Sequence, residues 1–301
     1  MIKELRKHKV LFAMMVPAVV YFFLLCYLPM AGTVLAFKNY RFDKGIFLSP
    51  WAGLDNFEFF FRSGKALLVT SNTVLYNAAF IVSGLLLQLA VAIVIAEMGG
   101  RFLRKAAQSV LLFPFFLSWV VVGAIVYNLL NYDYGFLNVL LRAVGLQPID
   151  FYSSPGWWKY ILLFFHNWKY VGYNSLVYLA AIIGIDRSLY EAASIDGANV
   201  FQRIRRITLP LIVPTTVIMV LLSVGNIFRG NFDLFYQLVG SNGLLFNATD
   251  VIDTFVFRSL LSSQDIGMSA ATGLYQSVVC FAVILATNAL VRRVQPDYSL
   301  F

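Results

Sequence analysis

The chain has 301 residues, 60% of them hydrophobic and only 13% charged, with a mean hydropathy of +0.76. Such a composition excludes an ordinary soluble domain, in which about 25% of residues are charged, and places the chain among multi-span membrane proteins. The net charge of +8 does not mark a nucleic-acid binder, because most of the 28 Phe lie inside apolar stretches rather than between basic residues.

The N-terminal "MIKELRKHK" precedes an apolar run from Val10 to about Phe37 that is too long for a signal-peptide core and has no small-x-small cleavage site near its end. It reads as an uncleaved first span. A crossing needs roughly 20 apolar residues, and six candidates follow in order: 10–37, 71–97, 107–131, 158–184, 211–238 and 267–291. The expectation is an all-α membrane protein with six transmembrane helices. Lys3, Arg6, Lys7 and Lys9 precede the first span, and Arg101, Arg104 and Lys105 follow the second. Arg187, Arg203, Arg205 and Arg206 follow the fourth, and Arg292 and Arg293 the sixth. Six crossings put all four groups on one face, which by the positive-inside rule makes both termini cytoplasmic.

One segment breaks that pattern. Residues 38–70 lie outside, yet carry Lys38, Arg41, Lys44, Arg62 and Lys65 beside Asp43, Asp55 and Glu58. The aromatic string "NFEFFF" there suggests a short helix lying against the membrane. The division expected along the chain is 1–70 for the first span and external segment, 71–293 for a core domain, and 294–301 for a cytoplasmic tail.

Between the fourth and fifth spans stands a polar island, "EAASIDGANVFQRIRRITLP", from Glu191 to Pro210. Leu189 to Ala193 favour helix, Asp196-Gly197 favours a turn, and Pro210 disfavours helix at Leu209. A short helix, a turn and a second helical stretch are therefore expected, the first helical piece at about 189–200. Ala192, Ala193, Gly197 and Ala198 leave a small-residue surface that admits a partner backbone. The same residues also suit an amphipathic helix resting on anionic lipid.

Glu191-Ala192-Ala193, then Gly197, then Ile207 and Leu209-Pro210 match the EAA motif of ABC importer permeases at every position of its pattern. The string "EAASIDGAN", together with "NIFRGNFDLFYQLVG", "DVIDTFVFRSL" and the tail "VRRVQPDYSLF", resembles the oligosaccharide and polysaccharide branch, relatives of the maltose-transporter membrane subunits. The resemblance covers the whole chain. It implies a type I ABC importer permease fold in which Glu191, Ala192, Ala193, Asp196, Gly197 and Ala198 dock on an ATPase. Glu191 would pair there with a basic residue, Ala192 and Ala193 would fit a cleft, and Gly197 would allow the turn. It further implies a second permease subunit, two ATPase subunits, an extracytoplasmic solute-binding protein and a carbohydrate cargo. ATP and Mg would be held by the ATPase, leaving no cofactor in this chain.

Catalytic signatures are absent. "RSGKAL" at 62–67 lacks the leading glycine and the Ser/Thr of a nucleotide-binding loop. No HExxH, GxSxG or CxxC occurs, and Cys26 and Cys280 both fall in apolar stretches, so neither a catalytic nor a metal set can be assembled. His8 reads as an interfacial cation, and His166, in "FFHNWKY", as an aromatic-packed, hydrogen-bonded histidine.

Polar groups within spans mark candidate cargo contacts, because they are costly in lipid and face cavities or one another. They are Trp119, Tyr127, Asn128 and Asn131 on the third span and Asn167, Trp168, Lys169, Tyr173 and Asn174 on the fourth. Asn226, Arg229 and Asp233 lie on the fifth, joined there by Asn231, Tyr236 and Gln237. Arg229 and Asp233, four apart, would share a helical face as a neutralising pair. The rival reading, an ion-gradient-driven secondary carrier, has Asp233 as its one internal carboxylate.

Overall fold

Thirty-three successive residues, Lys65–Glu97, form the longest helix of the computed structural model, which describes residues 8–294. Among the described residues every regular element is helical, apart from one isolated bridge between Lys38 and Trp51. Lys3, Arg6, Lys7 and the tail from residue 295 lie outside the described residues.

In chain order the main helices are α1 (Lys9–Phe37), α2 (Asp55–Arg62), α3 (Lys65–Glu97), α4 (Arg101–Phe116) and α5 (Trp119–Leu130). They continue with α6 (Phe136–Ala143), α7 (Pro155–Ile183), α8 (Arg187–Ile195), α9 (Val200–Leu211) and α10 (Val213–Gly225). The last three are α11 (Phe232–Val239), α12 (Ile252–Leu261) and α13 (Ile266–Val294). Three of these, α1, α3 and α13, are long and apolar enough to cross a membrane alone, and the bent pairs α4–α5 and α9–α10 bring the number to five. At 29 residues α7 is long enough as well, but "FFHNWKYVGYNS" makes it more polar than the others.

Two expected spans are broken rather than straight. The third bends by 93° between α4 and α5, where Leu117 is extended (ψ 134°) and the Ser118 side chain accepts the Val121 N–H to start the next helix. The fifth bends by 58° between α9 and α10, then ends at Gly225 instead of near residue 238. The expectation that Pro210 turns Leu209 out of helix fails, since Leu209 has φ −59° and ψ −46°. A π-turn over Ile204–Thr208 lengthens the hydrogen-bond spacing just ahead and makes room for the proline ring.

By compactness the chain divides into two bodies. The first runs to Ala66 and includes Val256–Tyr275, a grouping the sequence-based division did not anticipate. Here Phe60 is fully buried with its ring 5.7 Å from that of Tyr275, and Asn56 donates to the carbonyls of Ala36 and Lys38 at 2.9 and 3.1 Å. Its outlying positive charges are largely spoken for. Lys38 is buried, donating to the Phe47 carbonyl at 2.5 Å beneath the Trp51 ring, while Arg41 pairs with Asp43 and Arg62 with Glu58. Arg41 and Arg62 are thus ion-paired locally, while the count of basic residues in 38–70 stays an exception to the positive-inside rule. The expected short helix is α2.

The second body, Leu67–Phe255 with the residues from Gln276 on, holds two apolar clusters at different heights along α3. One centres on Tyr76, Phe80, Trp119, Trp158 and Phe235, the other on Ala92, Ile95, Tyr178 and Ile212. Tight helix crossings hold them. A Cβ on Gly172 of α7 would overlap the Leu111 carbonyl oxygen of α4, and one on Gly123 of α5 would lie 2.5 Å from the Gln237 carbonyl oxygen of α11. Only small residues permit such approach between membrane helices.

Candidate functional site

Between the two clusters of the second body lies a cavity of about 540 Å³. Helix α3 lines it with Asn77, Phe80, Ile81, Leu85 and Gln88, and α7 with His166, Tyr170, Tyr173, Asn174 and Tyr178. Met219, Val220, Ser223 and Asn226 complete it from α10 and its end, with Arg229, Gly230 and Asn231 from the turn beyond. On each helix these positions recur every three or four residues, so each contributes one stripe, and together the stripes present amide, hydroxyl and aromatic groups. The His166 ring stacks on Phe80 at 3.9 Å and 7°, and Phe115, also in the lining, stacks on Tyr173 at 4.0 Å and 4°. The hydrogen bond expected of His166 is not found: its Nδ1 is buried without a partner among the described residues.

Of the residues singled out from sequence, Tyr173, Asn174, Asn226 and Arg229 lie in this lining, and so does Asn231. The others lie elsewhere. Lys169 is buried, and its ammonium donates to the carbonyls of Pro114 (3.3 Å), Phe115 (3.1 Å) and Leu117 while facing the Trp119 ring at 5.2 Å. It therefore spans the α4–α5 break, where helix termination leaves carbonyls without backbone donors. Asn167 donates to Ser83 Oγ (2.8 Å) across to α3, and Trp168 packs against the first apolar cluster. Tyr127, Asn128 and Asn131 belong to the far end of α5; there Tyr127 meets the Tyr152 ring at 5.7 Å, Asn128 bonds back to Ala124, and Asn131 caps the turn at Asp133 and Tyr134. Burial pushes the Tyr152 phenol up to about 12.

The expected Arg229–Asp233 helical pair does not form, because Arg229 sits in the turn before α11 while Asp233 is exposed in that helix's first turn. Asn77, Gln88, Tyr170 and Ser223 were not picked out. The signal was present, since Asn77 and Gln88 stand eleven residues, three helical turns, apart within an otherwise apolar helix.

A second feature stands at the Glu191 island. Asp186 caps α8 by accepting the Ser188 N–H at 2.9 Å, which holds its carboxyl below the usual carboxylate range. The helix ends at Gly197 with φ +77°; the Ala198 N–H returns to the Ala193 carbonyl and the Gly197 N–H to that of Ser194. This reciprocal closure needs a left-handed residue, which glycine adopts without strain. Asn199 and Gln202 then cap each other at the start of α9. Glu191, Ala192, Asp196 and Gly197 are exposed, and Ile195 and Phe201 stand 87% and 83% exposed beside them. Beneath, Tyr190 bonds to Thr208 at 2.9 Å, and Arg203 reaches both Ser194 Oγ (3.0 Å) and Glu97 (3.7 Å) at the end of α3. The polar island is thus tied to the helix that lines the cavity.

Residues 88–296 match the family described as binding-protein-dependent transport system inner membrane component. The chain is 30% identical over 290 residues to the polygalacturonan/rhamnogalacturonan transport system permease protein YteP of Bacillus subtilis, covering 96% of this chain and 90% of that one. It is 29% identical over 289 residues to protein LplB of the same organism, with the same coverage. A solved bacterial ABC transporter that imports the acidic polysaccharide alginate contains a chain of the same fold, with TM-score 0.88 and 32% identity over 97% of this chain and 98% of that one. The alginate transporter has also been solved in complex with a pentasaccharide-bound periplasmic protein, with TM-score 0.87. Motif, fold and relatives agree, and the chain belongs to the inner-membrane components of bacterial binding-protein-dependent ABC transport systems.

Proposed function

We propose that the chain forms half of the translocation pathway of an ATP-driven importer of an oligosaccharide, paired with a second permease and driven by two ATPase subunits. A solute-binding protein delivers the cargo from outside. The carrying observation is the joint placement of the exposed Glu191–Ala198 turn and the cavity, linked through Arg203 to the α3 helix. Docking an ATPase on Glu191, Ala192, Ala193, Asp196, Gly197 and Ala198 gives differential contacts in two nucleotide states, which is what shifts a conformational equilibrium. The cavity supports a sugar: its amides and hydroxyls suit cargo hydroxyls, and its stacked rings suit sugar C–H faces. ATP and Mg belong to the partner ATPase.

The carrier reading has no support in the cavity, whose lining includes no carboxylate. Six crossings with both termini cytoplasmic remain part of the proposal. Its test is ATP hydrolysis by the reconstituted complex with and without liganded binding protein. Glu191→Arg and Gly197→Trp abolish the stimulation while the complex still assembles; normal stimulation in both variants rejects the docking assignment.

A further inference from the structure

The cavity lining holds one residue of the Lys, Arg, Asp and Glu types, and it is Arg229. The other intramembrane cation, Lys169, is committed to three carbonyls at the α4–α5 break. Arg229 is exposed, and among the described residues its side chain makes no hydrogen bond and no ion pair within 4.0 Å, although Asp253 lies within electrostatic reach of it.

The backbone that carries Arg229 is held unusually firmly for a non-helical turn. Asn77 of α3 donates to the carbonyls of Ile227 (2.9 Å) and Arg229 (3.0 Å). Gln276 of α13 donates to the Phe228 carbonyl (2.8 Å) and to Asp253 Oδ2 (2.9 Å), and that oxygen also accepts the Gly230 N–H at 2.6 Å. Four successive residues are thus fixed by side chains from three helices. A Cβ on Gly230 would sit 2.6 Å from Asp253 Oδ2, so the turn has a close fit there. Asp253 spends one oxygen on this clamp, and the guanidinium, though attracted by that carboxylate, keeps its hydrogen-bond donors uncommitted among the described residues.

A neutral sugar needs only amides and hydroxyls, which the cavity already supplies. A guanidinium adds planar, bidentate recognition of an anion, and an anion entering a cavity of low dielectric needs a cation there to offset its lost hydration. Resting on the importer reading above, we propose that the cargo is an anionic saccharide and that Arg229 receives its acidic group as it passes through the cavity, with Asn77, Asp253 and Gln276 as positioning residues.

The test is uptake into proteoliposomes holding the complete importer. It compares oligogalacturonates, the same chains with their carboxyls reduced to alcohols, and sulfated neutral oligosaccharides. The wild type is expected to take up an acidic member in preference to its carboxyl-reduced counterpart, and the sulfated series shows whether the acidic group is carboxylate or sulfate. Arg229→Gln lowers the ratio of acidic to neutral uptake by about tenfold or more, and Arg229→Lys recovers part of it. Equal or better uptake of the neutral series by the wild type overturns the inference and leaves the sugar importer standing, as does an unchanged ratio in Arg229→Gln. Uptake of no saccharide of any kind removes the importer reading itself. Should Arg229→Gln fail to assemble, the wild-type preference and the Arg229→Lys ratio decide the matter.

Discussion

Lys169 shows how one side chain can resemble a cargo contact and be something else. A lone lysine in an apolar run signals that it must be neutralised, but not by what. Here the acceptors come from more than fifty residues earlier in the chain, so no local pattern reveals them. Replacing Lys169 by Met removes the ammonium from the Phe115 and Leu117 carbonyls, the Pro114 carbonyl keeping the Leu117 N–H, and should destabilise the complex by about 2 kcal/mol, read as a lowered thermal midpoint of the solubilised assembly. Asp186 behaves differently. Its carboxyl titrates below the ordinary 3.8 of an aspartate, so its helix cap is complete at neutral pH and is lost only as acidification passes through that lowered value. Gly197, by contrast, was readable from its neighbours alone, because Asp-Gly after a helix-forming run specifies a left-handed turn wherever it occurs.

At the level of helices, the readable features were those with a local cause. The α8–α9 turn follows from a polar island between apolar spans, and α2 from an aromatic, mixed-charge string. The α4–α5 break does not: Pro114 lies inside α4, and Leu117-Ser118 is no usual breaker, so the bend depends on packing against α7. That packing predicts a sharp steric response. Gly172→Leu should prevent α4 from seating on α7 and abolish assembly, whereas Gly156→Ala, at a glycine with nothing within 4 Å, should leave it intact. The Arg203–Glu97 contact makes a separate prediction. At 3.7 Å and partly exposed it adds little stability, typically 0–1 kcal/mol. Its value lies in tying the Glu191–Ala198 turn to α3. Arg203→Glu and Glu97→Arg singly should therefore weaken ATPase stimulation by cargo with little change in melting, and the double exchange should restore it.

For the molecule as a membrane protein, orientation rests on charge placement, which acts without reference to packing, and it stays part of the proposal. Segment 38–70, the exception to that charge pattern, holds two local ion pairs, Arg41–Asp43 and Arg62–Glu58. In a Cys26→Ala background, a cysteine at Ser194 should react with an impermeant thiol reagent only from the cytoplasmic side, and one at Asp43 only from outside. The reverse pattern would invert the topology and remove Glu191 from reach of any ATPase. The cavity was half legible: its stripe on α7 and α10 stood out by polarity, while the α3 stripe was diluted by 33 residues of apolar helix.

The union of Lys169 with the carbonyls at Pro114, Phe115 and Leu117 also bears on how the chain is made. The acceptors leave the ribosome 52 to 55 residues before the lysine, a delay of roughly 3–10 s at about 5–20 residues per second. During that interval the broken third span holds carbonyls that lipid cannot satisfy, and the fourth brings an ammonium that lipid does not welcome. Neither is a good solitary passenger. The pair has reason to leave the insertion machinery together, so that birth order, as much as the finished structure, accounts for a lysine within this long, largely apolar helix.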